Sequence, residues 1–167
     1  MICFITGGQR SGKSRYAQNR ALELSSSPLY IATARIWDKE FEGRVDRHVQ
    51  DRDERWTTLE EEKHISRLPL ENATAVIDCV TLWLTNFFVD TGYDVEKSLF
   101  EVKKEFDNLC RVNASLFIIS NEIGMGIHAE SETGRKFTDL QGWANQYMAS
   151  RSDKVVLMVS GIPVPIK

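Results

Sequence analysis

The residues with the clearest chemistry lie near the start of the chain, where residues 7–14 read GGQRSGKS. This stretch fits the pattern G-x-x-x-x-G-K-[ST], and it follows a strand-like apolar run and precedes a helix-like one. In such a loop, backbone N–H groups and the positive end of the helix face phosphate oxygens. The Lys side chain reaches the β- and γ-phosphates, and the hydroxyl binds Mg²⁺. We therefore predict that a nucleotide binds at Gly7, Gly8, Gln9, Arg10, Ser11, Gly12, Lys13 and Ser14.

A carboxylate at the end of a second buried strand would complete the metal site. Asp78 follows the apolar run 75–77, which is where such a carboxylate stands in P-loop proteins. We predict that Asp78 holds Mg²⁺, or a water molecule bound to it, together with Ser14. An Asp at a strand–helix junction can also cap the helix, and that alternative stays open here.

A third candidate is a cationic stripe in the charged segment 38–55, for which we predict a helix. Arg44, His48 and Arg52 are spaced four residues apart and would share one helical face. Positive neighbours disfavour the imidazolium form, so His48 would be neutral and nucleophilic. A neutral imidazole attacking an α-phosphorus would give a nucleotidyl-histidine and release pyrophosphate. The alternative is that the stripe is only the solvated face of a surface helix.

The apolar pattern along the chain predicts the elements that must position these residues. Short apolar runs rich in β-branched residues alternate with longer amphipathic stretches, which is typical of a mostly parallel sheet with helices on both faces. We therefore predict one α/β domain over residues 1–167. The predicted strands are Ile2–Thr6, Leu29–Thr33, Ala73–Cys79, Ser115–Ser120 and Val155–Ser160. The other predicted helices are Ser14–Leu24, Leu82–Val89, Tyr93–Val112 and Glu132–Arg151.

Composition excludes several function classes. The 167 residues carry a net charge of −3, so no basic excess favours nucleic-acid binding. No apolar run is long enough to span a bilayer, and the chain opens directly into a strand-like run instead of a secretory signal. The 3 cysteines are far apart and form no CxxC pair, which is typical of a reducing compartment. We expect a cytoplasmic protein with neither a nucleic-acid partner nor a membrane span.

Three classes of P-loop protein remain as alternatives at this point. A GTPase switch would need the base-reading motif N-K-x-D, which the sequence lacks, and the D-x-x-G match at 139–142 lies in a predicted helix. A small-molecule kinase without nucleotidyl transfer needs nothing beyond the P-loop, an acidic base and arginines that bind phosphate. A slowly hydrolysing nucleotide sensor is the third, although the chain carries no effector segment.

Segments along nearly the whole chain resemble the bifunctional adenosylcobinamide kinases/adenosylcobinamide-phosphate guanylyltransferases of cobalamin biosynthesis. The P-loop itself is generic, whereas the GMGI-containing segment and the closing VSGIP segment are distinctive. The matching segments are TGGQRSGKSRYA at 6–17, YIATAR at 30–35, RVDRHVQDR at 44–52, WTTLE at 56–60, IDCVTLWLTN at 77–86, SNEIGMGI at 120–127 and VVLMVSGIPVPIK at 155–167.

The resemblance implies two reactions, a RecA-like P-loop fold and a homotrimer. A nucleoside triphosphate, ATP or GTP with Mg²⁺, would phosphorylate adenosylcobinamide, and GMP from GTP would then be transferred to that phosphate. The histidine that becomes guanylylated in the family corresponds to His48. Besides the P-loop, the family's nucleotide contacts correspond to Thr33, Ala34, Arg35, Val49, Gln50, Asp51, Arg52, Glu60 and Asp78.

The sequence departs from the family pattern at two places. His128 follows GMGI where many members have an apolar residue and then Pro, and Arg47 stands where some relatives have a second histidine. The first change lies in a loop that we expect near the corrinoid. We expect Asn121, Glu122 and the glycines of 124–126 to position substrate or phosphate, and a plain tight turn is the alternative for the glycines. Glu122 and Asp78 are candidate bases for the kinase step.

The other aromatic and histidine residues carry plainer expectations. His64 lies in a polar run and is predicted at the surface. Trp83, Phe87 and Phe88 have helical spacing and are predicted to lie in the core or in a subunit interface.

Overall fold

A computed structural model describes residues 1–35 and 53–167 of the protein. Among these residues it contains one sheet, four α-helices and one 3₁₀ turn (Ile65–Arg67). The strands are β1 (Ile2–Gly7), β2 (Leu29–Ala32), β3 (Thr57–Glu60), β4 (Thr74–Asp78), β5 (Ser115–Ile119), β6 (Lys154–Val159) and β7 (Ile162–Pro165). The helices are α1 (Lys13–Leu24), α2 (Val80–Asp90), α3 (Val95–Leu109) and α4 (Glu132–Arg151).

The sheet has seven strands in the order β3-β2-β4-β5-β1-β6-β7. Strands β1 to β6 are mutually parallel, and β7 runs antiparallel to β6. The carboxyl ends of six strands therefore meet at one edge, where ligands bind in parallel α/β sheets. β5 lies between β1, which leads into the P-loop, and β4, which ends at Asp78.

Alternate residues along the strands contribute to two hydrophobic clusters, one on each face of the sheet. Phe4, Ile77 and Ile118 pack on one face against α2, α3 and α4. Ile5 and Val76 pack on the other face against α1. Each face is thus covered by helix, so the central strands are continuously apolar.

Helix ends follow local chemistry. The Asp94 side chain caps α3 by accepting a hydrogen bond from the Lys97 N–H, and the Ser131 hydroxyl caps α4 by accepting one from the Gly134 N–H. The start of α1 differs, because its N-cap is Gly12 and no side chain caps it. The first N–H groups of α1 are therefore directed at the loop that precedes the helix.

The structure confirms the predicted α/β class and the mostly parallel sheet. The five predicted strands and four of the five predicted helices are present with shifts of a few residues at their ends. Two short strands, β3 and β7, were missed, and both lie at the edges of the sheet. The predicted helix 38–55 was wrong at its end, where residues 53–55 form a turn closed by a hydrogen bond from the Trp56 N–H to the Asp53 carbonyl. The rest of that helix lies outside the described residues.

Within residues 1–35 and 53–167, no helix has the length and apolar character needed to cross a membrane.

Candidate nucleotide-binding site

The P-loop connects β1 to α1 at the carboxyl edge of the sheet, and two of its glycines are required sterically. A Cβ atom on Gly7 would lie 2.6 Å from the Met158 carbonyl oxygen on the neighbouring strand β6. Gly12 has φ +93°, and a Cβ atom there would lie 3.3 Å from the Cα of Gly161. Close packing against β6 and the turn after it therefore fixes the path of the loop.

Lys13, the first residue of α1, is buried within this loop with only 6% of its surface exposed. Its Nζ donates a 2.7 Å hydrogen bond to the Gly8 carbonyl. Burial lowers the pKa of Lys13, and the charge of the nearby Asp78 carboxylate opposes this effect. The ammonium group is thus held inside the loop. A bound phosphate would replace the interactions with water that the group loses on burial.

Ser14 and Asp78 meet at the same edge although they are far apart in sequence. The Ser14 hydroxyl donates a 2.9 Å hydrogen bond to Oδ2 of Asp78, and the Tyr30 hydroxyl donates one of 2.7 Å to the same oxygen. Tyr30 lies on β2, which is paired with β4. Two hydroxyl groups from different elements therefore fix the orientation of the Asp78 carboxylate.

The donor set around Asp78 fits Mg²⁺. The Ser14 hydroxyl and the Asp78 carboxylate supply oxygen ligands, which Mg²⁺ prefers. Phosphate oxygens and water usually complete the coordination of Mg²⁺. Within the two described ranges no group of three or more His, Cys, Asp or Glu side chains is placed to hold a metal ion. A site in which Ser14 and Asp78 supply two ligands and the triphosphate supplies others agrees with these oxygen donors, and it needs no cluster of three protein ligands.

Ser11 adds a further polar group to the loop. It is 8% exposed, and its hydroxyl has no hydrogen-bond partner among the described residues. Its carbonyl accepts a 3.0 Å hydrogen bond from the Gly161 N–H in the β6–β7 turn. A buried hydroxyl without a partner inside a phosphate-binding loop is a suitable donor to a phosphate oxygen.

The segment after β2 is anchored to the end of β4. The Thr33 hydroxyl donates to the Cys79 carbonyl at 2.8 Å and accepts from the Cys79 N–H at 2.9 Å, and its side chain is fully buried. Burial, followed by the nearby Asp78 charge, raises the pKa of the Cys79 thiol to about 12, so the sulfur stays protonated. The Thr33 N–H donates to the Asp78 carbonyl and its carbonyl accepts from Asn86, so the fully buried Thr33 holds the strand ends together and offers no free group to a nucleotide in this arrangement.

Arg35 follows β2 in the chain, and its side chain contacts Asp90, the last residue of α2. Its guanidinium donates to the Glu62 carboxylate at 2.6 Å and to Asp90 at 2.8 Å and 3.2 Å, and Lys63 also contacts Asp90. These hydrogen bonds, first from Arg35 and then from Lys63, hold the pKa of Asp90 well below its usual range. These ion pairs fix the Arg35 side chain beside Glu62 and Asp90.

Glu60 and Glu122 end or follow strands at the same edge. Glu60 is the last residue of β3 and pairs in register with Ala32, which in turn pairs with Asp78. The Glu122 N–H donates a 3.0 Å hydrogen bond to the Gly7 carbonyl, so this residue lies beside the P-loop. Glu122 Oε1 accepts from the Gly124 N–H at 2.9 Å.

The predicted nucleophile and its neighbours fall outside the described residues. These are His48 and the predicted contacts Val49, Gln50, Asp51 and Arg52, together with Arg44.

Sequence reasoning missed three residues that shape the site. Tyr30 orients Asp78, and Gly161 supports the P-loop from the β6–β7 turn. Asn86 on α2 is buried, and its Nδ2 donates to the Thr33 and Glu62 carbonyls at 2.8 Å and 2.9 Å. All three lie in segments that carry the family resemblance, which was the available signal.

The plainer expectations agree with the structure. Trp83, Phe87 and Phe88 are buried in the core, each with less than 5% exposed. The His64 side chain is 42% exposed, 3.9 Å from the Glu105 carboxylate. All 3 cysteines are free, and two of them are buried.

The parallel sheet, the glycine loop and the Lys13–Ser14–Asp78 arrangement define a P-loop nucleotide-binding protein of the α/β class. The family model described as "Cobinamide kinase / cobinamide phosphate guanyltransferase" (CobU) matches residues 3–166. The chain belongs to this family.

Curated relatives match over essentially the full chain. The bifunctional adenosylcobalamin biosynthesis protein CobU of Escherichia coli (strain K12) is 37% identical, with 100% of both chains covered. CobP of Pseudomonas aeruginosa, with the same description, is 35% identical over 98% of this chain and 95% of that protein. Among solved structures, the flagellar accessory protein FlaH from Methanocaldococcus jannaschii aligns with a TM-score of 0.48 and 10% identity, covering 99% of this chain and 77% of that chain.

Proposed function

We propose that the protein phosphorylates the aminopropanol hydroxyl of adenosylcobinamide with ATP or GTP, and then transfers GMP from GTP to the new phosphate. The observation that carries the proposal is the meeting of Lys13, Ser14 and Asp78 at a P-loop, in a chain of this family. The products are a nucleoside diphosphate in the first step, and adenosylcobinamide-GDP with pyrophosphate in the second.

In the kinase step, the P-loop amides and Lys13 bind the triphosphate and stabilise the charge that develops on the transferred group. Mg²⁺ at Ser14 and Asp78 would neutralise further phosphate charge. The acceptor hydroxyl must lose a proton, and we place the base at Glu122. Oδ2 of Asp78 already accepts two hydroxyl hydrogen bonds, whereas Glu122 lies beside Gly7 at the edge of the sheet.

In the transfer step, His48 is proposed as the nucleophile. Its neutral imidazole nitrogen forms a bond to the α-phosphorus of GTP as the bond to pyrophosphate breaks. A phosphate oxygen of adenosylcobinamide phosphate then displaces the imidazole, which leaves the histidine free again. Arg44 and Arg52, four residues before and after His48 in the sequence, would balance the charge of the triphosphate.

The test is intact-protein mass spectrometry after incubation with GTP and Mg²⁺. The wild type should gain an acid-labile adduct with the mass of GMP, and His48→Ala should not. The chain has 3 histidines, so His64→Ala and His128→Ala are matched controls that should keep the adduct. A folded wild-type protein that binds GTP without forming an adduct would refute guanylyl transfer through His48.

That negative result would favour the remaining alternative, a P-loop kinase without nucleotidyl transfer. In that case adenosylcobinamide would still be phosphorylated, and the mass of the product would show it. Comparing ATP with GTP in this assay identifies the phosphoryl donor.

The family resemblance also supports a homotrimer, and the free cysteines, two of them buried, support a cytoplasmic location. Sedimentation equilibrium measures the subunit number directly.

A further inference from the structure

The loop that follows β5 and residues 135–146 of α4 line a groove with a volume of about 400 Å³. We call it the loop groove. Its helical wall is one face of α4, because the lining residues recur every three or four positions from Arg135 to Gln146. The lining mixes apolar and polar side chains, among them Ile123, Ile127, His128, Arg135, Asp139 and Trp143.

Large apolar side chains are exposed at this groove. Ile127 is 98% exposed and Trp143 is 48% exposed, and Met125 on the same loop is 81% exposed. A cluster of exposed apolar side chains beside polar groups is typical of a surface that binds a ligand or a partner. An aromatic ring and branched chains at a groove suit a large, flat, partly apolar molecule.

The groove is held in place by bonds at both ends of the loop. At its start, the Asn145 side chain donates to the Asn121 carbonyl at 3.1 Å, from within a buried network with Ser120 and Gln141. At its end, Arg135 Nη1 donates to the Ala129 and Glu130 carbonyls. The wall formed by the loop is therefore tied to α4.

The wall of the groove that the loop forms begins beside the P-loop. The loop leaves the sheet at Glu122, whose N–H donates to the carbonyl of Gly7 at 3.0 Å. α4 begins at the carboxyl edge of the sheet and runs back towards the start of β6, so its first turns lie near that edge. A kinase must bring its acceptor hydroxyl within about 3–3.5 Å of the γ-phosphorus, which requires an acceptor site next to the P-loop.

We propose that the loop groove binds the corrinoid acceptor, with Ile127 and Trp143 against the macrocycle. This inference rests on the proposed function. A corrinoid is a broad macrocycle with apolar faces, surrounded by carboxamide side chains that donate and accept hydrogen bonds. Arg135, Asp139 and Gln146 supply complementary polar groups along the helical wall. The groove accommodates one edge of the ring, and the hydroxyl-bearing arm extends past Glu122 to the P-loop.

The experiment compares Trp143→Ala and Ile127→Ser with Phe100→Ala, an apolar residue on α3 that is 65% exposed and does not line the groove. Initial rates of phosphorylation are measured against adenosylcobinamide and against nucleotide. Both groove variants should raise the KM for the corrinoid at least tenfold, as truncation of a central contact does. The KM for nucleotide and the yield of the GMP adduct should stay at the wild-type value, and Phe100→Ala should behave as wild type.

Three outcomes would overturn the assignment. A corrinoid KM unchanged in both groove variants would exclude the groove as the acceptor site. A changed subunit number in sedimentation, with an unchanged corrinoid KM, would instead identify the groove as an interface between copies of the chain. Failure of the wild type itself to bind and phosphorylate the corrinoid would remove the proposed function and, with it, this assignment. Ile127 and Trp143 are exposed and lie outside the core, so both variants should melt at the same temperature as the wild type. Measuring these melting temperatures verifies that the variants fold.

Discussion

The Ser14 hydroxyl on helix α1 donates a 2.9 Å hydrogen bond to Oδ2 of Asp78 at the end of strand β4. Because β5 lies between β4 and β1, this bond spans the width of a strand at the carboxyl edge of the sheet. It joins the two oxygen groups that a P-loop protein uses for Mg²⁺. The pairing therefore links the fold to the proposed chemistry.

Asp78→Asn should decrease kcat for phosphorylation at least 100-fold, because the variant keeps the shape of the side chain and loses its charge. Binding of nucleotide without Mg²⁺ should change little, since the P-loop and Lys13 are untouched. Titration of a fluorescent GTP analogue with and without Mg²⁺ separates the two effects. A variant in which Mg²⁺ still strengthens binding as in the wild type would contradict the metal role.

Tyr30→Phe tests the orientation of the same carboxylate. Its hydroxyl donates to Oδ2 at 2.7 Å, and a hydrogen bond to a charged group contributes about 1.5–3 kcal/mol. We expect roughly a tenfold increase in the Mg²⁺ concentration at half-maximal rate, with kcat at saturating Mg²⁺ nearly unchanged. Tyr16→Phe, a partly buried tyrosine on α1, is the control. An unchanged Mg²⁺ requirement in Tyr30→Phe would show that Asp78 is oriented without it.

The parts of this site that could be predicted from sequence are those that local pattern fixes. The glycines, Lys13 and Ser14 are contiguous, and Asp78 directly follows an apolar run, so each is recognisable without knowing the fold. Tyr30 is different. It pairs in register with Val76, and Asp78, two residues further on, points to the same face of the sheet. Only the pairing of β2 with β4 brings the two side chains together.

The two missed strands have a similar explanation. β7 contains Pro163 and Pro165, and proline lowers the strand signal although it is tolerated at an edge. The short run 57–60 is mostly exposed, so it lacks the apolar pattern of a buried strand. Both strands form only because they pair with a neighbouring strand, and this pairing cannot be predicted from the local sequence pattern.

Lys13→Met should abolish nucleotide binding and also stabilise the protein without nucleotide. Burial lowers the pKa of Lys13, so the charged form is less favourable in the folded chain than in the unfolded one. Gly8, whose carbonyl accepts from Nζ, is exposed and can bond to water instead. We expect the melting temperature to rise by about 2–4 °C, equivalent to about 1 kcal/mol. Calorimetry measures this, and a lower melting temperature would contradict the account.

Asp90→Asn should change the pH dependence of stability. The pKa of Asp90 is lowered in the folded state, so its contribution is fully present above the unfolded value of about 3.9 and is lost as pH falls through the folded value. The variant should be less stable than the wild type at pH 7, and the difference should shrink below about pH 4. Melting temperatures from pH 3 to pH 7 test this. A difference that stays constant, or grows towards pH 3, would exclude the ion pairs with Arg35 and Lys63 as its source.

Glu122→Gln separates the two proposed reactions. If Glu122 accepts the proton of the acceptor hydroxyl, its amide variant should decrease kcat for phosphorylation by about 10²–10⁴-fold. Attack of His48 on GTP needs no such base, so the GMP adduct should form at the wild-type rate. The amide also keeps an oxygen that can accept from the Gly124 N–H, which preserves the local turn. Quenched-flow phosphorylation and adduct mass are measured on the same preparation. Equal losses in both assays would assign Glu122 a structural role beside Gly7, and the kinase base would then have to be Asp78.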